Sequence, residues 1–272
     1  MPLTLELTNS PGVPLEVEGL TPRAAAEFSS QDLRKFPVQH GNRKAALGDF
    51  FSISGSVNDL ELRFVGDLSG VHWIGAGMDE GRVFVEENAG RHVGSEMTGG
   101  QIEVRGDVGD WLGGEMHGGE ILVHKNAGHL VGAAYRGSRC GMTGGTIIVR
   151  GAAGNEIGQA MRRGTIAIGG RSGDMPGFNM LAGSIYLLGE CGIRPGGSMK
   201  RGTIAYLGSH APELLPTFRR AGTDRPDFLQ LVFRDLAARG LAIDDELANA
   251  RFTLYHGDLV ELGRGEILVR ET

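Results

Sequence analysis

The chain has 272 residues, 46 of them glycine, with 27 Lys and Arg against 33 Asp and Glu for a net charge of −6. The acidic balance argues against a general nucleic-acid binder, and the absence of any run of about 18 apolar residues argues against a membrane span. With no basic-then-apolar leader and only two cysteines, Cys140 and Cys191, the expected setting is a reducing cytoplasm.

Residues 1–56 do not repeat and form an expected N-terminal cap segment. Leu3-Thr4-Leu5-Glu6-Leu7 alternates as a strand does, and Ser30-Gln31-Asp32-Leu33 reads as a helix start. Residues 57–75 look like a worn first unit of the pattern that follows, with Leu60, Leu62 and Phe64 alternating and Gly66, Gly70 and Gly75 at corners.

The pattern itself is a Met followed three residues later by a Gly, seven times over. The methionines are Met78, Met97, Met116, Met142, Met161, Met180 and Met199, spaced 19, 19, 26, 19, 19 and 19 residues apart. A fixed period of this length is the mark of a solenoid. Each Gly opens a short alternating stretch, such as Gly100-Gln101-Ile102-Glu103-Val104, so one set of side chains points inward and the other outward. Val83, Ile102, Ile121, Ile147, Ile166, Ile185 and Ile204 form one expected inward ladder. Val85, Val104, Val123, Val149, Ile168, Leu187 and Tyr206 form a second.

Pairs such as Gly90 and Gly94, or Gly109 and Gly113, mark corners, where tight turns need φ > 0. Nineteen extended residues span roughly 60 Å, a small closed perimeter, and parallel neighbours stack about 4.8 Å apart. The expected fold is therefore all-β: a right-handed parallel β-helix over residues 57–208, one 19-residue coil per repeat. The methionines then fill a third ladder in the core; a soft-metal row is the lesser reading.

The 26-residue spacing places a seven-residue insertion at Ala133-Ala134-Tyr135-Arg136-Gly137-Ser138-Arg139, expected to loop out as an interface or as a tolerated surface loop. Outward residues run from charged (Arg82, Phe84, Glu86; Gln101, Glu103, Arg105) to nearly apolar (Thr146, Ile148; Ala167; Tyr186, Leu188; Ala205, Leu207). The apolar end calls for a cover. Residues 209–272 form the expected C-terminal capping segment. Its helical stretch Pro226–Leu236 offers Phe228, Leu229, Val232, Phe233 and Leu236 as that cover, and a partner is the other candidate.

No catalytic residue and no metal site is expected. The histidines His40, His72, His92, His117, His124, His129, His210 and His256 fall into no ligand spacing and read as surface or corner residues. Ser95, Ser172 and Ser198 lack a nucleophile-elbow setting. A hexapeptide acyltransferase is excluded by a period that is not a multiple of six, and a calcium-binding roll by Asp missing from the recurring Gly-rich corners. The one candidate binding feature is a basic edge. Arg162, Arg163, Lys200 and Arg201 share a phase two coils apart, about 10 Å from each other, whereas early corners carry Asp79, Glu80, Glu87 and Asp107.

Gly75-Ala76-Gly77-Met78-Asp79-Glu80-Gly81-Arg82-Val83-Phe84-Val85 and Gly158-Gln159-Ala160-Met161-Arg162-Arg163-Gly164-Thr165-Ile166-Ala167-Ile168-Gly169 resemble the repeat of the C subunit of formylmethanofuran dehydrogenase. Leu214–Arg219, Pro226–Leu229 and Gly257–Leu268 are similar to that family's C-terminal region, and these flanks together with the Arg-rich composition of the chain resemble its relative in the formyltransferase/hydrolase complex. The repeat alone is shared with the C-terminal domain of glutamate synthase. The resemblance implies a non-catalytic subunit of a one-carbon complex that moves formyl from formyl-tetrahydromethanopterin to a methanofuran-type carrier and hydrolyses it to formate. It implies formyltransferase and amidohydrolase-like partner subunits, which hold the metal and the carrier, and no cofactor on this chain. The C subunit of a molybdenum or tungsten formylmethanofuran dehydrogenase and a glutamate-synthase-type structural domain are the alternatives. A carrier of this type bears glutamyl side chains, so its tail is one candidate for the basic edge; an acidic patch on a neighbouring subunit ranks above it.

Overall fold

The computed structural model describes residues 2–56 and 59–271, so the expected boundary at residues 57 and 58 lies outside the described residues, as do the terminal residues 1 and 272. The N-terminal segment contains β1 (Leu3–Leu7), β2 (Leu15–Glu16), α1 (Pro22–Ala26), α2 (Ser30–Leu33), β3 (Pro37–His40), β4 (Arg43–Ala46) and β5 (Phe51–Ser54). The helix start expected at Ser30 is a single turn, capped by the Ser29 side chain accepting from the Asp32 N–H. The repeats supply β6 (Glu61–Val65), β7 (Val71–His72), β8 (Arg82–Val85), β9 (Gln101–Val104), β10 (Glu120–Val123), β11 (Thr146–Val149), β12 (Thr165–Ile168), β13 (Ser184–Leu187) and β14 (Arg201–Tyr206). The C-terminal segment adds β15 (Arg219–Asp224), α3 (Phe228–Ala238), α4 (Asp245–Asn249), β16 (Phe252–Gly257) and β17 (Arg264–Arg270).

Thirteen strands form one sheet in the order β15-β16-β17-β14-β13-β12-β11-β10-β9-β8-β6-β1-β5, so the chain is all-β with few helices. β6 and then β8 to β14 each pair parallel with the counterpart strand in the neighbouring repeat, whereas β7 pairs with β2 in a separate four-stranded sheet, β4-β3-β2-β7. Ile121 faces Ile102 on one side and Ile147 on the other, so the insertion leaves the register intact. A second parallel column of single bridges joins Leu68, Ala89, Val108 and Ala127, and then Ala153, Ser172 and Cys191. Both inward ladders and all seven methionines are buried in one continuous core. β-branched and aliphatic residues suit these positions because each packs on its own equivalent one repeat away.

The repeat glycines have two different physical reasons. Gly94 and its equivalents have positive φ, as expected of a tight corner. The other member of each pair does not: a Cβ on Gly109 would lie 3.0 Å from the carbonyl carbon of Gly90, and one on Gly128 would lie 2.9 Å from that of Gly109. These glycines stack on one another because the backbones of successive repeats approach too closely for a side chain, which corrects the reading of both as turn residues.

The flanks continue the sheet. β1 pairs parallel with β6, Leu5 beside Phe64, and β17 pairs parallel with β14, Ile267 beside Ile204. β5 and β15, both antiparallel to their neighbours, end the sheet, and β15 carries Arg219, Arg220 and Asp224 with a register shift between Arg220 and Gly222, features that blunt an exposed edge. The C-terminal helix therefore does not close the last repeat. α3 lies along the face of β11 to β14, where Leu229, Phe233 and Leu236 bury Ile148, Ala167, Tyr186, Ala205 and Leu207 in a second core. The apolar outward residues are thus covered by the chain itself. Val232 is partly buried, whereas Phe228, expected in the cover, is 47% exposed because it lies about 100° round the helix from Leu229, off the face formed by Leu229, Phe233 and Leu236.

Candidate functional site

Arg162, Arg163, Lys200 and Arg201 are all exposed. The Arg162 N–H donates to the Met142 carbonyl at 2.8 Å and the Lys200 N–H to the Met180 carbonyl at 2.8 Å, so both occupy the same position of their repeats. The repeat between them contributes Leu181 and Ala182, whose N–H groups donate to Met161. Lys200 reaches Glu261 at 3.8 Å, and Arg201 stands beside Arg264 in the β14–β17 pairing. Arg264 belongs to the same row, and the period does not reveal it because it lies outside the repeats. At the opposite end of the molecule the same row carries Asp79 and Glu80, and both are paired with Arg23 at 2.9 and 2.8 Å.

A second cluster was not legible as a cluster. Trp73, His92 and Trp111 occupy one corner column at 19-residue intervals, each with positive φ (65°, 62° and 57°). Their rings stack, Trp73 on His92 at 4.1 Å and 5° and His92 on Trp111 at 5.5 Å and 11°. A left-handed backbone at a bulky residue costs of order 1–3 kcal/mol and persists only where packing compensates. Tyr135 supplies part of that packing. Its ring leans on all three others, its hydroxyl is 3.2 Å from His92 Nδ1, and its N–H donates to Glu115 at 2.8 Å. Burial pushes the Tyr135 hydroxyl up to about 12 and the His92 imidazole down to about 4. The insertion therefore does not loop out wholesale. Ala133 and Ala134 are buried, Tyr135 folds onto the stack, and only residues 136–139 are exposed. His92 is correspondingly a corner histidine, as one of the two expected settings had it, and is half-buried in the stack.

Other polar side chains are engaged in structure. Asn88, Asp107 and Asn126 each accept the backbone N–H one repeat on, at 2.8, 2.9 and 2.8 Å. Asp110, His129, Asn155 and Asp174 form a parallel ladder of the same kind at 2.9 to 3.0 Å. Asp is thus present in the corners, contrary to the sequence reading, and its carboxylates satisfy corner N–H groups that regular pairing leaves free. On the outer face Arg150 donates to His124 Nδ1 at 3.0 Å, leaving Nε2 to donate to Glu103 at 2.8 Å. Among the described residues no group of three or more His, Cys, Asp or Glu could hold a metal ion, and no helix is long and apolar enough to cross a membrane. Both Cys140 and Cys191 are free.

No protein-family model matches the chain. Among curated proteins it is similar to the C subunit of the tungsten-containing formylmethanofuran dehydrogenase 2 of Methanothermobacter thermautotrophicus, 40% identical over 87 residues, 30% of this chain and 32% of the relative. It is also similar to the C subunit of the molybdenum-containing formylmethanofuran dehydrogenase 1 of Methanothermobacter wolfeii, 41% identical over 79 residues, 29% of this chain and 20% of the relative. The aligned part is thus a third or less of these relatives. Across the whole fold the chain superposes with a TM-score of 0.90 and 32% identity on a chain of the formyltransferase/hydrolase complex (FhcABCD) from Methylorubrum extorquens, solved in complex with methylofuran, covering 99% of this chain and 100% of that one. The chain belongs to the family formed by the C subunit of formylmethanofuran dehydrogenase and its counterpart in the formyltransferase/hydrolase complex.

Proposed function

We propose that the chain is the structural subunit of a cytoplasmic formyltransferase/hydrolase complex, in which a formyltransferase subunit passes formyl from formyl-tetrahydromethanopterin to a methanofuran-type carrier and an amidohydrolase-like subunit releases formate. The observation that carries this reading is the match over essentially the full length of both chains. The dehydrogenase alternative rests on higher identity, but over less than a third of this chain. In this reading residues 57–208 wind as a right-handed parallel β-helix, residues 1–56 and 209–272 are its end segments, and metal and carrier are held by partner subunits. The column of exposed cations from Arg162 to Arg201 supports a contact with an acidic partner surface or with the carrier's glutamyl tail.

Co-expression of a tagged chain with the formyltransferase and amidohydrolase-like subunits tests the proposal. The three are expected to copurify with formyltransferase/hydrolase activity, and the isolated metal-replete chain to be inactive. Copurification with molybdenum- or tungsten-pterin subunits instead would select the dehydrogenase, and hydrolysis of formylmethanofuran by the chain alone would reject a structural role.

A further inference from the structure

Three of the most exposed large apolar residues of the described chain sit on one turn, between β16 and β17: Leu259 at 51%, Val260 at 77% and Leu262 at 55%. The turn is held rigidly. Asp258, only 5% exposed, accepts the Ser198 N–H at 3.0 Å through one carboxylate oxygen and the Val260 N–H at 3.0 Å through the other. Its carbonyl accepts the Gly263 N–H at 2.9 Å, and the Leu259 N–H donates to Thr217 at 3.1 Å. A backbone pinned at both ends presents its apolar side chains to solvent with little further backbone ordering required on contact.

The surroundings are basic. Glu261 at the tip reaches Lys200, and β17 leaves the turn with Arg264 beside Arg201. Against a net charge of −6 for the whole chain, this end gathers Lys200, Arg201 and Arg264, with Arg162 and Arg163 two repeats back.

We infer that the Leu259-Val260-Leu262 turn is a docking knob for a neighbouring protein subunit whose receiving surface is an apolar pocket rimmed by carboxylates. The inference rests on the assembly reading above and names the surface that reading leaves open. Charge complementarity selects the acidic rim, because a basic partner would meet Arg201 and Arg264 at close range and be repelled. An apolar anchor inside a charged ring is also the usual division between interface centre and rim. A lipid surface fits less well: the apolar residues lie on a tight turn rather than along an amphipathic helix.

The test uses the co-expressed complex. A tagged Leu259→Ser/Val260→Ser/Leu262→Ser chain is compared with the parent and with Leu231→Ser, an exposed position on α3. The knob variant is expected to retain the formyltransferase and amidohydrolase-like subunits about tenfold less than the parent, with an unchanged circular dichroism spectrum, while Leu231→Ser behaves as the parent. Arg201→Glu/Arg264→Glu, which leaves the knob intact, is expected to weaken retention most at low salt. Parent-level retention by the knob variant overturns the inference and leaves the assembly reading standing. A parent that retains neither subunit overturns both. Knob-dependent sedimentation with phosphatidylglycerol vesicles, with subunit retention unchanged, overturns it in favour of a membrane surface.

Discussion

The terminal methyl group of Met97 occupies the space in front of Gly119 in the next repeat, where a Cβ would lie only 2.6 Å from it. The same relation joins Met116 to Gly145 at 2.6 Å and Met142 to Gly164 at 2.7 Å. The Met-x-x-Gly spacing is therefore not a local motif. From Gly100 onward each Gly leaves a space that the methionine one repeat earlier fills; at Gly81, where no repeat methionine precedes it, Leu60 and Pro22 stand there instead.

Gly119→Ala is expected to destabilise the chain by about 2–4 kcal/mol, since φ is +86° there and the added methyl meets both Met97 and the Gly100 carbonyl. Met97→Ala removes a fully buried side chain and is expected to cost about 2–5 kcal/mol. Urea unfolding of both single variants and the double variant should reveal coupling, because the two changes share one contact; strict additivity would contradict that shared packing.

Tyr135→Ala uncovers the aromatic stack and is expected to lower stability by about 1–3 kcal/mol. The chain has two tryptophans, Trp73 and Trp111, and both lie in this stack, so intrinsic fluorescence reports on it directly. A red shift in the folded state is expected for Tyr135→Ala. Excising residues 133–139 should destabilise the chain as well, because two buried alanines go with the tyrosine.

His92 links the stack to pH. Its folded value of about 4 lies below the ordinary 6.5, so the unfolded chain binds that proton more tightly and stability must fall as pH drops. The loss begins near pH 6.5 and is complete near pH 4, with no contribution above 6.5. His72, also lowered by burial, and Arg91 act in the same direction, while Asp110 opposes. His92→Phe is expected to flatten the stability profile between pH 4 and 6.5; an unchanged slope would assign the dependence to other groups.

Reversal of Arg162, Arg163, Lys200 and Arg201 to Glu is expected to leave the fold intact, as all four side chains are exposed. Assembly or carrier retention should weaken in a salt-sensitive manner. A quadruple variant that assembles and retains carrier like the parent at low salt would reduce the row to solvated surface charge.

The period of 19 residues by itself determined the ladders, the buried methionines and the common phase of Arg162 and Lys200, because identical repeats stacked in register place equivalent positions side by side. Alternation was enough to separate inward Ile166 from outward Ala167. Only the tertiary structure decided what lies over the outward face, since no local pattern says that α3 folds back onto Ala167 and Tyr186 rather than across the last repeat. The same holds for Arg264 and for the aromatic stack. Arg264 joins the basic row through a strand outside the repeats, and Trp73, His92 and Trp111 are brought under Tyr135 by an insertion whose path depends on side-chain packing rather than on period. Repetition makes near-neighbour geometry legible in one dimension, whereas contacts between non-repeating segments depend on which apolar surfaces remain uncovered once the stack has formed.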